Sequence, residues 1–252
     1  MSNYSIGTNF IFLDSKDRSA SSNSTSDCIW TINDNTTNLK KKMSIESIII
    51  PNSYYSINTN NNTFLLEAET ITLTPGNYNS TTFNAELLTK LNASTFGIAH
   101  PFSSATYNST TGKNVIINGT TNFTITSNAY NYRYLGLPPS TALASSTLTW
   151  TSTNVCDFSG TRYISIITDL PIASANSSNF NNNVLTRVWC NTSSFNTIFY
   201  SSQAFDYIKL LTTKLNTISL RLVDEFGSTV DLNGLQWSVV LEVEDQPDTM
   251  SL

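Results

Sequence analysis

The run Ile48-Ile49-Ile50 meets Pro51 with nothing polar between them. Proline has no N–H to give to a ladder, so a β-branched run cannot pass through it as a central strand. The pattern predicts a strand that begins near Ser44 and ends at Ile50, with Ile48–Ile50 covered on both faces. Asn52 and Ser53 then supply turn chemistry. Two other segments have the same construction of an apolar run joined to a backbone stop. Leu73–Asn92 opens with Pro75-Gly76, and Leu232–Val243 opens with Asn233-Gly234.

Period-2 patterning recurs along the chain. Ile218, Leu220 and Leu222 face one way, with Ser219 and Arg221 facing the other. Trp237, Val239, Leu241 and Val243 share one face of a last strand, and Ser238, Glu242 and Glu244 share the other. Such alternation is the signature of a strand with one covered face. Short strands are also expected at Cys28–Ile32, Phe64–Leu73, Val115–Ile117, Phe123–Thr126 and Leu148–Trp150. Further ones are expected at Tyr163–Ile167, Val184–Val188, Ile198–Tyr200 and Ile208–Leu211. Helical spacing occurs at Phe83, Leu87, Leu88 and Leu91, which predicts one short helix over Ser80–Leu91 with a hydroxyl N-cap near Ser80–Thr82.

Many short strands, frequent turns and one helix indicate an all-β fold, an antiparallel sandwich. At 252 residues the chain is about twice an immunoglobulin domain. A single jelly roll of about eight core strands, with long loops and an insertion carrying the helix, fits better. The expected organisation is an arm over 1–26, a jelly-roll domain over 27–244 with 63–136 as a helix-bearing insertion, and a polar tail over 245–252.

Composition limits what this chain can do. Charged residues are 12% of the sequence, about half the ~25% of typical soluble domains. Asn, Ser and Thr must therefore supply the polar surface. A surface so sparsely charged suits a protein whose flanks meet neighbours. The net charge of −5 speaks against nucleic-acid binding over the whole surface. Lys40, Lys41 and Lys42 are the one basic run. It is read first as a solvated turn, with contact to packaged genome or an acidic neighbour as the alternative. Cys28, Cys156 and Cys190 are odd in number and lack C-x-x-C spacing, as free thiols in a reducing compartment would. No signal peptide is visible, and no apolar run reaches the ~18 residues of a membrane span.

Little of the chain can carry chemistry. His100, before Pro101, is the only histidine and has no triad partners. Thr110-Thr111-Gly112-Lys113 lacks the upstream glycine and the following Ser/Thr of a phosphate loop, so it reads as a hairpin turn. Glu67/Glu69 and Glu242/Glu244 are i, i+2 pairs expected on single strands, without the cleft that paired-carboxylate catalysis needs. Asp224–Glu225 is an acidic loop without calcium-loop spacing. Trp30, Trp150, Trp189 and Trp237 are expected in the core rather than as sugar-stacking rings. No catalytic, cofactor-binding or metal-ligating residue is assigned, and the chain is expected not to be an enzyme.

An ordered set of motifs carries a resemblance. Leu13-Asp14-Ser15-Lys16-Asp17-Arg18 is followed by Ile50-Pro51-Asn52-Ser53-Tyr54-Tyr55-Ser56-Ile57 and the pair Asn61-Asn62. Then come Pro75-Gly76-Asn77-Tyr78, Glu86-Leu87-Leu88 with Leu91-Asn92, and Leu135-Gly136. The set ends with Leu232-Asn233-Gly234-Leu235-Gln236-Trp237. In this order the chain resembles the penton (vertex, or minor capsid) proteins of virophages and polinton-like viruses, over roughly residues 10–245. The stretch Ala142–Asn182 departs from the family pattern.

The resemblance implies a single jelly roll and a structural capsid role in the virion, assembled in the host cytoplasm. It implies a homopentamer at each five-fold vertex, flanked by a double jelly-roll major capsid protein. The Ser-rich arm would strap under neighbouring capsomers, and the outer loops are candidates for contacting a host receptor. The alternative reading is a receptor- or carbohydrate-binding jelly roll such as a spike or fibre head.

Overall fold

The computed structural model describes residues 8–32, 39–173, 183–202 and 207–246. Residues 1–7 of the expected arm and 247–252 of the expected tail lie outside them. Three strands come first: β1 (Thr8–Asp14), β2 (Asp27–Thr31) and β3 (Lys40–Pro51). The middle of the chain holds β4 (Thr63–Leu66), β5 (Glu69–Thr72), helices α1 (Ser80–Ala93) and α2 (Thr95–Ala99), β6 (Phe102–Asn108) and β7 (Lys113–Asn118). It continues with β8 (Thr124–Thr126), the one-turn helix α3 (Tyr132–Leu135), β9 (Ala142–Ala144) and β10 (Thr149–Thr151). The last six strands are β11 (Tyr163–Thr168), β12 (Val184–Trp189), β13 (Thr197–Ser201), β14 (Ile208–Lys209), β15 (Thr217–Val223) and β16 (Ser238–Gln246).

These elements form two compact units. One comprises the chain up to Tyr54 together with everything from Thr161 onward, and the other is Tyr55–Gly160. In the first unit one sheet runs β1-β16-β3-β13, with β14 also on β3, and the other runs β12-β11-β15-β2. Every named pairing in both is antiparallel. Successive strands alternate between the sheets except β11 and β12, which pair with each other, and β13 and β14, which share β3. That strand order is the single jelly roll expected from the sequence.

The core of this unit joins both sheets. Trp30, Ile48, Ile50, Ile164, Ile166, Leu220, Trp237 and Leu241 belong to one buried cluster. The alternation in β15 and β16 is the expected one, with Ile218, Leu220 and Leu222 and then Trp237, Val239, Leu241 and Val243 facing in.

Strand β3 departs from expectation in two ways. It begins at Lys40 rather than near Ser44. And Ile49 is 44% exposed, while Ile48 and Ile50 are at 1% and 0%, so the run is covered on one face only. A bulge permits the inward set. Val240 pairs with Ser47 and Leu241 with Ile45, leaving Glu46 as the extra residue. That one-residue offset lets Met43 and Ile45 point inward ahead of it and Ile48 and Ile50 behind it.

The first strand also begins earlier than the expected domain boundary at residue 27. Residues 8–14, read as part of an arm, pair with β16 from Thr8↔Glu244 to Asp14↔Ser238. The partner lies at the far end of the chain, so no local pattern announces it.

The second unit has its own buried cluster, including Phe64, Leu66, Phe83, Leu87, Leu91, Phe123, Ile125 and Trp150. Two sheets, β5-β4-β8-β9 and β10-β7-β6, supply its strands. Phe64–Leu73 is not one strand but the hairpin β4–β5, with Glu67 at φ 53 in the turn. The helix α1 is where the apolar spacing placed it, but its N-cap is Asn79. The Asn79 side chain accepts from the Thr81 and Thr82 N–H groups, and Thr82 returns a bond to the Asn79 backbone. That is a capping box with threonine in place of Glu or Gln. Three helices lie in this unit rather than one. Among the described residues no helix is long and apolar enough to cross a membrane.

Candidate interaction surfaces

Three of the motif segments singled out in the sequence, Leu13–Ser15, Asn52-Ser53 and Leu232–Trp237, come together at one end of the jelly roll. The Ser15 N–H donates to the Trp237 carbonyl at 2.9 Å, the Trp237 N–H donates to Ser15 Oγ at 2.9 Å, and Ser15 Oγ donates to Gln236 Oε1 at 2.6 Å. The Trp30 indole donates to the Asp14 carbonyl at 2.9 Å, and the two core tryptophans, Trp30 and Trp237, meet edge to face with centroids 5.9 Å apart. Ser53 Oγ donates to the Leu232 carbonyl at 2.6 Å, while Asn233 Nδ2 donates back to the Ser53 carbonyl at 2.5 Å. Asn233 and Gly234 have φ of 51° and 82°, the left-handed pair that an Asn-Gly turn accommodates at least cost. These residues are joints between strands, and each buried side-chain polar atom in them has a partner.

Asn52 has a similar role. Its Nδ2 donates to the Thr192 carbonyl, its N–H donates to the Asn196 carbonyl, and its carbonyl accepts from the Phe195 N–H. The loop between β12 and β13 is thereby tied to the end of β3. Phe195 in that loop has φ 68 and is 74% exposed. A bulky residue in the left-handed region is uncommon and costs of order 1–2 kcal/mol.

The basic run is internally neutralised. Lys41 Nζ lies 2.7 Å from Asp245 Oδ1 and its side chain is 1% exposed; Lys42 Nζ lies 2.6 Å from Glu244 Oε2. Both pairs are directly opposed in the β3–β16 register, and Lys40 faces Gln246. The Lys42 ammonium also sits 3.8 Å from the centroid of the Tyr207 ring, and the Tyr207 hydroxyl donates to Glu244 Oε1 at 2.6 Å. The run is thus strand, not a solvated turn, and two of its charges serve the ladder.

The other chemistry-bearing residues are dispersed. His100 caps the end of α2 and approaches Thr120 at 3.2 Å. Glu69 Oε1 accepts from the Thr95 N–H at the start of α2, and Glu67 Oε1 accepts from the Thr124 N–H. Thr111 and Gly112 lie in the β6–β7 turn, with Gly112 at φ 68. Asp224 Oδ1 accepts from the Phe226 and Ser228 N–H groups and so closes its own turn. No group of three or more metal-capable side chains occurs among the described residues. Burial pushes the Cys28 thiol up to about 11 and raises Cys156 and Cys190 as well, which makes all three weak nucleophiles at neutral pH.

Large apolar side chains are exposed on both sheets of the jelly roll. On the sheet β1-β16-β3-β13, Phe10, Phe12, Ile49 and Phe199 are all exposed. On the sheet β12-β11-β15-β2, Trp189 is 64% exposed, in contrast to the core position expected for it. Its ring meets Tyr163 at 5.7 Å, nearly perpendicular. Trp30, Trp150 and Trp237 are buried as expected. Periodicity alone could have found Trp189, since it follows the inward Val188 and must point the other way.

No protein-family model matches the chain, and no curated protein matches it. Among solved structures, the crystal structure of the selenomethionine-labelled mavirus penton protein is similar. The TM-score is 0.49 and the identity 12%, over 94% of this chain and 100% of that one. The fold assignment stands on the strand order rather than on that likeness.

Proposed function

We propose that the chain is a structural capsid protein that closes the five-fold vertices of an icosahedral particle as a homopentamer. The carrying observation is where the penton-like motifs lie in the jelly roll. Leu13-Asp14-Ser15, Asn52-Ser53 and Leu232–Trp237 all serve as hydrogen-bonded joints between its strands. Residues that resemble a family because they hold a fold together fit a protein that works by shape. The carboxylates of Glu67, Glu69 and Asp224 accept from backbone N–H groups and hold turns and a helix start, which fits that reading.

In this reading the partners are sister copies and a double jelly-roll major capsid protein, and the site of action is the virion. The test is co-expression with that major capsid protein, followed by imaging of the particles. Density for five copies of this chain at each vertex is the expected result. Particles whose vertices close without it would overturn the reading.

A further inference from the structure

Two β-bulges, one in each sheet of the jelly roll, flank the same cleft. In β12, Thr186 is opposite Ile166 and Val184 is opposite Ile167, so Leu185 is the extra residue. In β3 the extra residue is Glu46, next to Ile45. A bulge re-aims side chains and bends its strand, and bulges are over-represented beside functional sites. Here both bulged segments contribute to the walls of a cleft of about 450 Å³. That volume falls within the ~300–1,000 Å³ of small-ligand sites.

The lining is of two kinds. Ile45, Leu185 and Ile208 supply apolar surface. Thr186, Tyr200, Ser202 and Tyr207 supply four hydroxyls. Tyr200 points inward, because Ile198 is buried and Phe199 exposed on the same strand. It packs half-buried against the core. The Ser202 N–H donates to the Glu46 carbonyl at 3.0 Å, which ties the cleft wall to the bulge in β3.

These hydroxyls are only partly occupied. Thr186 Oγ1 and the Tyr200 hydroxyl are 3.4 Å apart, a long bond that leaves most of their donor and acceptor capacity open. The Tyr207 hydroxyl donates to Glu244 Oε1 and so keeps its lone pairs for a ligand. Among the described residues that line the cleft none is charged. The Lys42 and Glu244 charges that hold Tyr207 pair with each other.

This chemistry selects the occupant. An anion would find no cation in the lining. An alkyl chain would strip water from the hydroxyls and return no hydrogen bond. An uncharged ligand with an apolar face and a hydroxyl-bearing edge satisfies both kinds of wall, and a pyranose has that construction. We infer that the cleft between β12 and the β13–β14 side of the first sheet binds a neutral sugar. Its C–H face rests on Ile45, Leu185 and Ile208, and its hydroxyls exchange hydrogen bonds with Thr186, Tyr200, Ser202 and Tyr207. The inference goes beyond the vertex reading and does not rest on it.

The experiment uses the full chain and saturation-transfer NMR, with titration calorimetry for affinity. The probes are the methyl pyranosides of glucose, galactose and mannose, N-acetylneuraminic acid as the charged comparison, and hexane-1,6-diol as the alkyl one. At least one neutral pyranoside should bind, with the charged sugar and the diol giving no signal. Thr186→Val and Tyr200→Phe each remove one hydroxyl and keep the shape of the wall. Each should weaken binding by about fivefold to tenfold with the thermal midpoint unchanged. Trp189→Ala, which removes an exposed ring outside the cleft, should leave affinity as it was. If either cleft variant loses its cooperative thermal transition, Ser202→Ala takes its place. No binding by any pyranoside would make the cleft a solvent pocket and overturn the inference. So would binding that survives both cleft variants, binding lost in Trp189→Ala instead, or a preference for the charged sugar or the diol.

Discussion

The Lys41 ammonium lies 2.7 Å from the Asp245 carboxylate, directly across the β3–β16 ladder, with its own side chain 1% exposed and that of Asp245 16% exposed. The pair ties the end of the last strand to the start of the third. Removing one member of a buried pair typically costs about 3–5 kcal/mol. Asp245→Ala should therefore destabilise the chain by about 3 kcal/mol, near the lower end of that range because Asp245 reaches solvent. Adding Lys41→Met should recover most of the loss. Urea unfolding of the single and double variants checks both.

Glu244 gives a pH dependence with a defined sign. Hydrogen bonds from Lys42 and then from Tyr207 hold its carboxyl below the ordinary value. A carboxylate depressed in the folded state contributes stability that is fully present above its unfolded pKa of about 4.3 and disappears as pH falls through the folded value. Glu244→Gln should lower stability at neutral pH by up to about 1 kcal/mol. The gap to wild type should close in acid below about pH 4 as the native carboxyl takes up its proton. Unfolding midpoints across that range decide the matter, and a gap that persists in acid would show that Gln disturbs the packing instead.

Gly136 ends helix α3 in the left-handed region at φ 68. A Cβ there would lie 2.6 Å from the Asn154 carbonyl oxygen, 2.7 Å from Ser152 Oγ and 2.8 Å from Cys156 Sγ. Backbone strain of about 1 kcal/mol then adds to a clash with main chain that cannot rotate away. Gly136→Ala should cost about 2 kcal/mol or more, and thermal unfolding is the measurement.

Phe195 predicts the opposite sign. Its φ of 68 is strained for any residue with a Cβ, and its side chain is 74% exposed. Phe195→Gly should stabilise the folded chain by about 1 kcal/mol less the entropy glycine adds to the unfolded state. Unchanged or raised stability in denaturant is the expected result, and a large loss would mean that the ring packs on something.

The unit Tyr55–Gly160 has its own buried cluster and its own two sheets. Expressed alone, residues 55–160 should unfold cooperatively with dispersed amide resonances. A spectrum of collapsed lines would show that its core needs the jelly roll.

The inward sides of the strands were legible because they rest on local alternation. Ile218, Leu220 and Leu222 repeat at period 2, and so do Trp237, Val239, Leu241 and Val243. The helix was legible from Phe83, Leu87 and Leu91, which all reach 0% exposure. Its cap was not, because Asn79 and Thr82 form a capping box without the expected Glu or Gln. The hairpin inside Phe64–Leu73 was missed because Glu67-Ala68 lacks Gly, Asn or Pro, and the turn there bends on a glutamate at φ 53.

The candidate surfaces were only half legible. Trp189 alternates with the inward Val188 and could have been placed outside. Ile49 could not, because an unbroken Ile48–Ile50 run reads the same whether one face or two are covered.

By itself the amino-acid sequence determined which short runs become strands, where Pro51 and Asn233-Gly234 stop or turn the chain, and how few charges the surface can show. These depend on neighbours in the chain, whose steric and apolar preferences act at once. Tertiary structure alone decided that β1 joins β16 and that Glu46 is squeezed out of register. It also decided that Lys41 and Lys42 find Asp245 and Glu244, and that Phe12, Ile49 and Phe199 stay exposed while Ile167 is buried. The pairings among those outcomes join strands about two hundred residues apart in the sequence, which no local period encodes.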